Sequence, residues 1–226
     1  MKLGVNMLTW NGSDFIEKAL RAVLPYTEDV YVIDTGSTDC TVEILKKLHA
    51  EFPKLRYRVQ NVQHEGETWT NSVKDFSLTS LLNDMRRNTF TDWILKIDDD
   101  EIFPKETMEE IVSVDGAVSV YSIPFLHIED DKILDPALHT DLQVARLFRN
   151  THDIQWVNPY GREVLAYCGK KVSSRANQPV LCRRLQNYFI HLGDWRRKSR
   201  RHDYRFHIKG HCGIPIPEQF RHYVYD

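Results

Sequence analysis

Apolar and polar positions follow two different rhythms along the first 104 residues. Short apolar runs at Leu3–Leu8, Val30–Ile33, Leu55–Val62 and Trp93–Ile97 have the length and composition of buried strands. Between them, apolar residues recur three and four apart, as one face of a helix requires. Phe15, Ile16, Ala19, Leu20 and Val23 predict a helix that Ser13 or Asp14 caps and Pro25 ends. Val42–Leu48 predicts a second, with Ser37, Thr38 and Asp39 as caps. Val73, Phe76, Leu78, Leu81, Leu82 and Met85 predict a third between Thr70 and Asn88. Strands alternating with helices argue for a doubly wound α/β domain on a mostly parallel sheet. Beyond residue 104 the rhythm changes. Ala117–Phe125 and Val144–Phe148 are strand-like, helical spacing becomes scarce, and turns such as Asn158-Pro159-Tyr160-Gly161 enter. The expectation is one domain whose residues 1–104 bind a nucleotide and whose residues 105–226 bind an acceptor, the two halves sharing one continuous sheet.

Composition narrows the setting. Hydrophobic residues make up 42% and charged residues 27% of 226 residues, enough for a sizeable core. A net charge of −2 excludes bulk attraction for nucleic acid or anionic membrane. The charge is uneven, however: His191 to His211 holds seven Lys/Arg against two Asp. No apolar stretch approaches the roughly 18 residues a membrane span needs, and the start reads straight into a strand rather than a signal peptide. Cys40, Cys168, Cys182 and Cys212 form no CxxC pair and read as free thiols in a reducing compartment, the cytoplasm, or the host cytoplasm for a viral protein. His202, His207, His211, Cys212 and His222 match no common zinc spacing.

Two of the apolar runs end abruptly in acid, the first at Asp34 and the second at Asp98-Asp99-Asp100 with Glu101 behind. Ligands of open α/β sheets sit just beyond the carboxyl ends of the strands. Three consecutive aspartates repel one another and are hard to explain as packing. All-oxygen ligands suit a hard cation such as Mg²⁺, Mn²⁺ or Ca²⁺. A cation held by one or two carboxylates, with its remaining shell open, is a way to bind a diphosphate. The plainer alternatives are a loop or helix cap for Asp34 and a solvated acidic loop for residues 98–101.

These segments resemble the family 2 glycosyltransferases of GT-A fold, in particular a soluble branch reading VDTGSTD and then LDADE. The counterparts are VIDTGSTD (32–39) and IDDDE (97–101). NMLTWNGSDFIEKAL (6–20), VARLFRN (144–150), IQWVNPYGREVL (154–165) and FIHLGDW (189–195) are similar to the branch's other segments and follow in the same order. The resemblance implies a metal-dependent, inverting transfer of sugar from a nucleotide-diphosphate donor, a UDP-sugar first, to an acceptor hydroxyl. It implies Mn²⁺ or Mg²⁺ on Asp98, Asp100 and His191. Donor contacts would come from Thr9, Trp10, Asn11, Asp34, Thr35, Asp98, Asp99 and Arg146, and Glu163 would be the catalytic base, with Asp153 and Asp141 as substitutes. Arg146 would pair with a phosphate or hold the acidic rim together. Two departures stand out: Arg162 replaces the usual His before Glu163, and Thr35 replaces a second Asp.

The acceptor stays open among glycan, protein and DNA. The run Arg196-Arg197-Lys198-Ser199-Arg200-Arg201, with Trp195, Tyr204 and Phe206 near it, would suit a transferase acting on a hydroxymethylated DNA base. A non-catalytic nucleotide-sugar-binding protein is the rival of another class. A nucleotidyltransferase would want more glycine after the first strand than Asn11-Gly12 supplies.

Overall fold

In the computed structural model of the chain, the residues described are 1–62, 78–129, 132–134, 143–157, 164–172, 182–192, 213–215, 218 and 221. Four parallel strands form the first half: β1 (Leu3–Thr9), β2 (Asp29–Asp34), β3 (Leu55–Val59) and β4 (Trp93–Asp98), in spatial order β3-β2-β1-β4. β1 is buried along its whole length, as a central strand covered on both faces must be. In register, Thr9 stands opposite Asp34 and Leu8 opposite Asp98, so the polar strand ends share one rim.

Helix α1 (Ile16–Val23) buries Ile16, Ala19, Leu20 and Val23, the stripe its spacing predicts. It starts later than expected. The amides of Phe15 and Ile16 both donate to the Gly12 carbonyl, and no side chain caps the helix. It runs into a single 3₁₀ turn, Leu24–Tyr26, at Pro25. α2 (Thr41–Glu51) and α3 (Leu78–Arg87) follow, α3 burying Leu81, Leu82 and Met85. The expected start of this third helix, including Val73 and Phe76, lies outside the described residues. Val5, Met7, Leu20 and Leu45 fill one core, and Leu8, Ile33, Leu82, Met85 and Ile94 fill the other. The sheet is therefore covered on both sides, as a doubly wound fold requires.

β5 (Glu101–Ile102) and α4 (Lys105–Ser113) come next; α4 has no counterpart in the sequence reading. It packs through Thr107, Met108 and Ile111, too short an apolar pattern to stand out. β6 (Val120–Glu129) outlasts its expected end by four residues. β7 (Lys132–Leu134) pairs with it, and β8 (Gln143–Arg149) lies antiparallel between β6 and β4. β9 (Ile154–Val157), β10 (Val164–Tyr167) and β11 (Lys170–Lys171) make a separate three-stranded antiparallel sheet. It is fixed to α3 by Asn83, whose side chain bonds both the amide and the carbonyl of Trp156. β12 (Arg183–Arg184) and β13 (Phe189–His191) add to β6, and β14 (Gly213–Pro215) to β7. One eleven-stranded sheet thus runs through both halves. Among the described residues no helix is long and apolar enough to cross a membrane. Cys40, Cys168 and Cys182 are free thiols.

Candidate functional site

Two loops leave the rim side by side and are stitched together by polar contacts. After β1 the chain turns through Asn11 at φ +51°, a left-handed conformation that asparagine tolerates. The Asn11 amide donates to Ser37 Oγ at 2.7 Å, and its Oδ1 accepts from the Thr38 amide at 2.7 Å. The Gly12 amide donates to Thr41 Oγ1 at 2.9 Å, and the Ser13 amide to Asp39 at 3.1 Å. Asp39 also accepts from the amide and hydroxyl of Thr41 at the start of α2. Burial pushes the Asp39 carboxyl up, and the bonds from Thr41 and Ser13 outweigh it, leaving it below the usual carboxylate range.

Asp34 is fully buried and spends its carboxylate on the second loop. One oxygen accepts from the amides of Gly36 and Ser37 at 3.0 and 2.9 Å, the other from the Ser37 hydroxyl. Gly36, at φ +103°, supplies the backbone turn this needs. Thr35 ties the two strand ends, with amide and hydroxyl both donating to the Thr9 carbonyl. Asp34 and Thr35 therefore shape the platform on which Trp10 and Asn11 stand.

The three aspartates diverge. Asp99 turns to the first loop and accepts from the Thr9 hydroxyl at 2.6 Å. Gly12 permits this contact, since a Cβ there would meet Asp99 Oδ2 at 2.3 Å and Thr9 Oγ1 at 2.7 Å. Asp98 turns to the opposite face, where Lys96 holds one oxygen and Arg146 the other, the latter at 2.6 Å. Arg146 also pairs with the buried Glu101, whose other oxygen accepts from the Asp98 amide at 2.9 Å. Desolvation pushes the Asp98 carboxyl up, but the Arg146 and Lys96 cations reverse this and hold it far below the carboxylate range. In Glu101 burial prevails and the carboxyl is pushed up. Arg146 thus pairs with two carboxylates of the acidic rim.

Asp100, 6% exposed, faces the second half of the chain. Its Oδ2 lies 3.7 Å from Nε2 of His191, past hydrogen-bond reach but within the span of two ligands on one small cation. β13 carries His191, pairing Glu101 on one side and His127 on the other, and the Leu192 amide donates to the Asp100 carbonyl at 2.9 Å. His127 Nδ1 lies 2.8 Å from His191 Nδ1. Burial, then the neighbouring imidazole, pushes His127 down to about 4, so it is neutral at pH 7.

A carboxylate oxygen and a neutral imidazole nitrogen are a donor pair that Mn²⁺ or Mg²⁺ accepts. Among the described residues no three His, Cys, Asp or Glu side chains gather as a complete site. The residues fit a cation that takes two protein ligands and fills its shell with substrate phosphates and water, the habit of Mg²⁺ in nucleotide enzymes. Asp98, expected as a third ligand, has both oxygens engaged by cationic side chains. Glu163 and the basic run 196–201 lie outside the described residues, as do Asp141, Trp195, Tyr204, Phe206 and the His/Cys positions 202, 207, 211, 212 and 222. Asp153 is described and pairs with exposed His152 at 3.1 Å.

Sequence reasoning missed Lys96 and His127. Lys96 was legible in principle, because residues two apart on a strand share a face. His127 fell beyond the expected end of its strand.

The model of glycosyl transferase family 2 matches residues 5–68. An uncharacterized glycosyltransferase of Mycoplasma genitalium is 30% identical over 115 residues, 48% of this chain and 35% of that protein. The SPbeta prophage-derived glycosyltransferase SunS of Bacillus subtilis is 26% identical over 166 residues, 71% of this chain and 34% of SunS. The chain spans about a third of the length of these curated relatives. The crystal structure of S. aureus TarS matches the fold with a TM-score of 0.55 at 18% identity, over 84% of this chain and 36% of TarS.

Proposed function

We propose that the chain is a glycosyl transferase family 2 enzyme, on the match of residues 5–68 and the fold shared with TarS, and that it transfers a sugar from a nucleotide-diphosphate donor to an acceptor hydroxyl with the help of Mn²⁺ or Mg²⁺. The observation that carries this reading is the approach of Asp100 and His191 to 3.7 Å at the rim where the two stitched loops end. The first 104 residues hold the donor, and residues 105–226 complete the site and receive the acceptor.

In this reading Trp10, Asn11 and Thr35 form the nucleoside edge of the platform, and Asp34 keeps that edge in shape. Asp98, neutralised by Lys96 and Arg146, faces the ribose side rather than the cation. Asp99 closes the floor of the site against Thr9 and Gly12. Asp100 and His191 hold the cation, which when bound offsets the negative charge that develops on the departing diphosphate. Glu163 takes the proton of the acceptor hydroxyl as its oxygen bonds to the anomeric carbon and the bond from that carbon to the diphosphate oxygen breaks on the opposite face, a single displacement that inverts the carbon. A UDP-sugar stands first among donors on the resemblance of residues 32–39 and 97–101; the acceptor is a hydroxyl on glycan, protein or DNA, met in the cytoplasm.

The test is a panel of nucleotide sugars incubated with the protein, with Mn²⁺ or with EDTA, and read by release of nucleoside diphosphate. One donor should turn over in Mn²⁺ and not in EDTA. Turnover unchanged by EDTA would overturn the metal-assisted reading, and no turnover of any donor, with or without acceptors, would favour a binding protein.

A further inference from the structure

His127 belongs to no segment discussed above as a motif, yet it is the nearest polar neighbour of His191 on its far side. The two residues stand opposite each other in the parallel pairing of β13 with β6. Their rings lie edge to edge, with centroids 5.0 Å apart and planes 29° from parallel, and the Phe125 ring meets His191 edge-on at 5.9 Å. Both strands carry this contact, and the Nδ1 atoms, 2.8 Å apart, are within reach of one N–H···N hydrogen bond.

Which imidazole owns that proton decides what His191 offers to Asp100. If His127 donates, a neutral His191 carries its own proton on Nε2, and that nitrogen cannot bind a cation. If His191 donates, its Nε2 is bare and points a lone pair toward a carboxylate 3.7 Å away. Two acceptors facing each other at that distance are poorly placed alone and well placed around a cation. Histidines that bind metals nearly always donate their other ring N–H to a fixed acceptor, which sets both tautomer and orientation.

We propose that His127 is a positioning residue, whose Nδ1 accepts the Nδ1 proton of His191 and so presents the bare Nε2 of His191, beside Asp100, to the cation. This rests on the metal-assisted reading above. It assigns a task to a side chain that touches neither donor nor cation.

The test is calorimetric titration of Mn²⁺ into the protein with UDP present, for the wild type, His127→Phe, His127→Asn and His191→Ala. Phenylalanine keeps a ring but offers no acceptor; asparagine places an oxygen near the lost Nδ1. His127→Phe should weaken Mn²⁺ binding by about 10- to 100-fold, and His127→Asn should recover most of that loss. UDP binding in EDTA should be the same in the wild type and both His127 variants. Long-range ¹⁵N spectra of the wild type with Mg²⁺ and UDP bound should show His191 protonated at Nδ1, a readout that requires no variant to fold. If His127→Phe binds Mn²⁺ as tightly as wild type while His191→Ala does not, the positioning role falls and the metal site stands. If His191→Ala also binds normally, the metal site falls and the role with it. A His191 protonated at Nε2, or an asparagine variant as weak as the phenylalanine one, equally overturns the role.

Discussion

Replacing Arg146 with methionine isolates the ion cluster beneath the rim. Methionine matches the aliphatic stem, so little packing is lost and the charge is removed. The wild-type guanidinium, 14% exposed, serves Glu101, at 2% exposure, and Asp98, at 36%. Removing one partner from a buried ion pair costs about 3–5 kcal/mol. Three features reduce that here. Asp98 keeps Lys96 and reaches solvent, Glu101 is already pushed toward its neutral form by burial, and Arg146 Nε has no hydrogen-bond partner among the described residues to lose. The expected loss is thus near the lower limit, about 3 kcal/mol, or roughly 6–12 °C in Tm for a domain of this size. Arg146→Lys, with one charge but no fork, should lose less. Urea unfolding followed by tryptophan fluorescence measures both, and a cycle with Glu101→Gln measures the coupling. That double variant should recover part of the loss, because a neutral amide no longer needs the cation. A loss below about 0.5 kcal/mol, or no coupling to Glu101, would refute the cluster as the rim's anchor.

Gly12→Ala forces a methyl into the Thr9–Asp99 contact, so donor affinity measured calorimetrically should fall while the unfolding transition stays cooperative; unchanged affinity would mean the floor of the site is not used. Glu163→Gln keeps shape but cannot accept a proton, so transfer should drop by roughly 10²-fold or more with donor affinity unchanged, and wild-type rates would move the role to Asp153. His127 is held neutral down to about 4 in the folded protein. An ordinary histidine in the unfolded chain takes up its proton near 6.5. The unfolded state therefore binds more protons between those values, and stability present above pH 6.5 should be lost as pH falls toward 4. The loss is at most about 3 kcal/mol from this group, and His127→Asn in EDTA should flatten that part of the pH–stability curve.

The rim was visible in the sequence because a buried strand that stops at charged residues leaves few places for them to go. Four strands and the apolar faces of α1 and α3 were legible for the same reason, since periodicity is a local property. What each carboxylate does was not. Asp34 and Asp39 look alike on paper, and only the folded loops reveal that both are consumed by amides and hydroxyls of neighbouring turns. Asp98 and Asp100 are two residues apart yet serve different partners, because β4 ends between them and the chain turns into β5. Their partners come from distant elements: Arg146 lies on β8, His191 on β13 and His127 on β6. Ser13 and Asp14 looked like caps, but the Gly12 carbonyl had already taken the first amides of the helix. The pairing of His127 with His191 arises from strand register, which sequence spacing does not encode across 64 residues.

The central claim is that Asp100 and His191 hold a divalent cation for a nucleotide diphosphate. Titrating UDP into wild-type protein and Asp100→Asn, each with Mn²⁺ and again with EDTA, tests it most directly. Wild type should bind UDP at least 10-fold more tightly in Mn²⁺ than in EDTA, and Asp100→Asn should bind weakly in both, because the cation has lost its anionic ligand. UDP binding by wild type that is equally tight in Mn²⁺ and in EDTA, or an Asp100→Asn variant with the full Mn²⁺ effect, would contradict it.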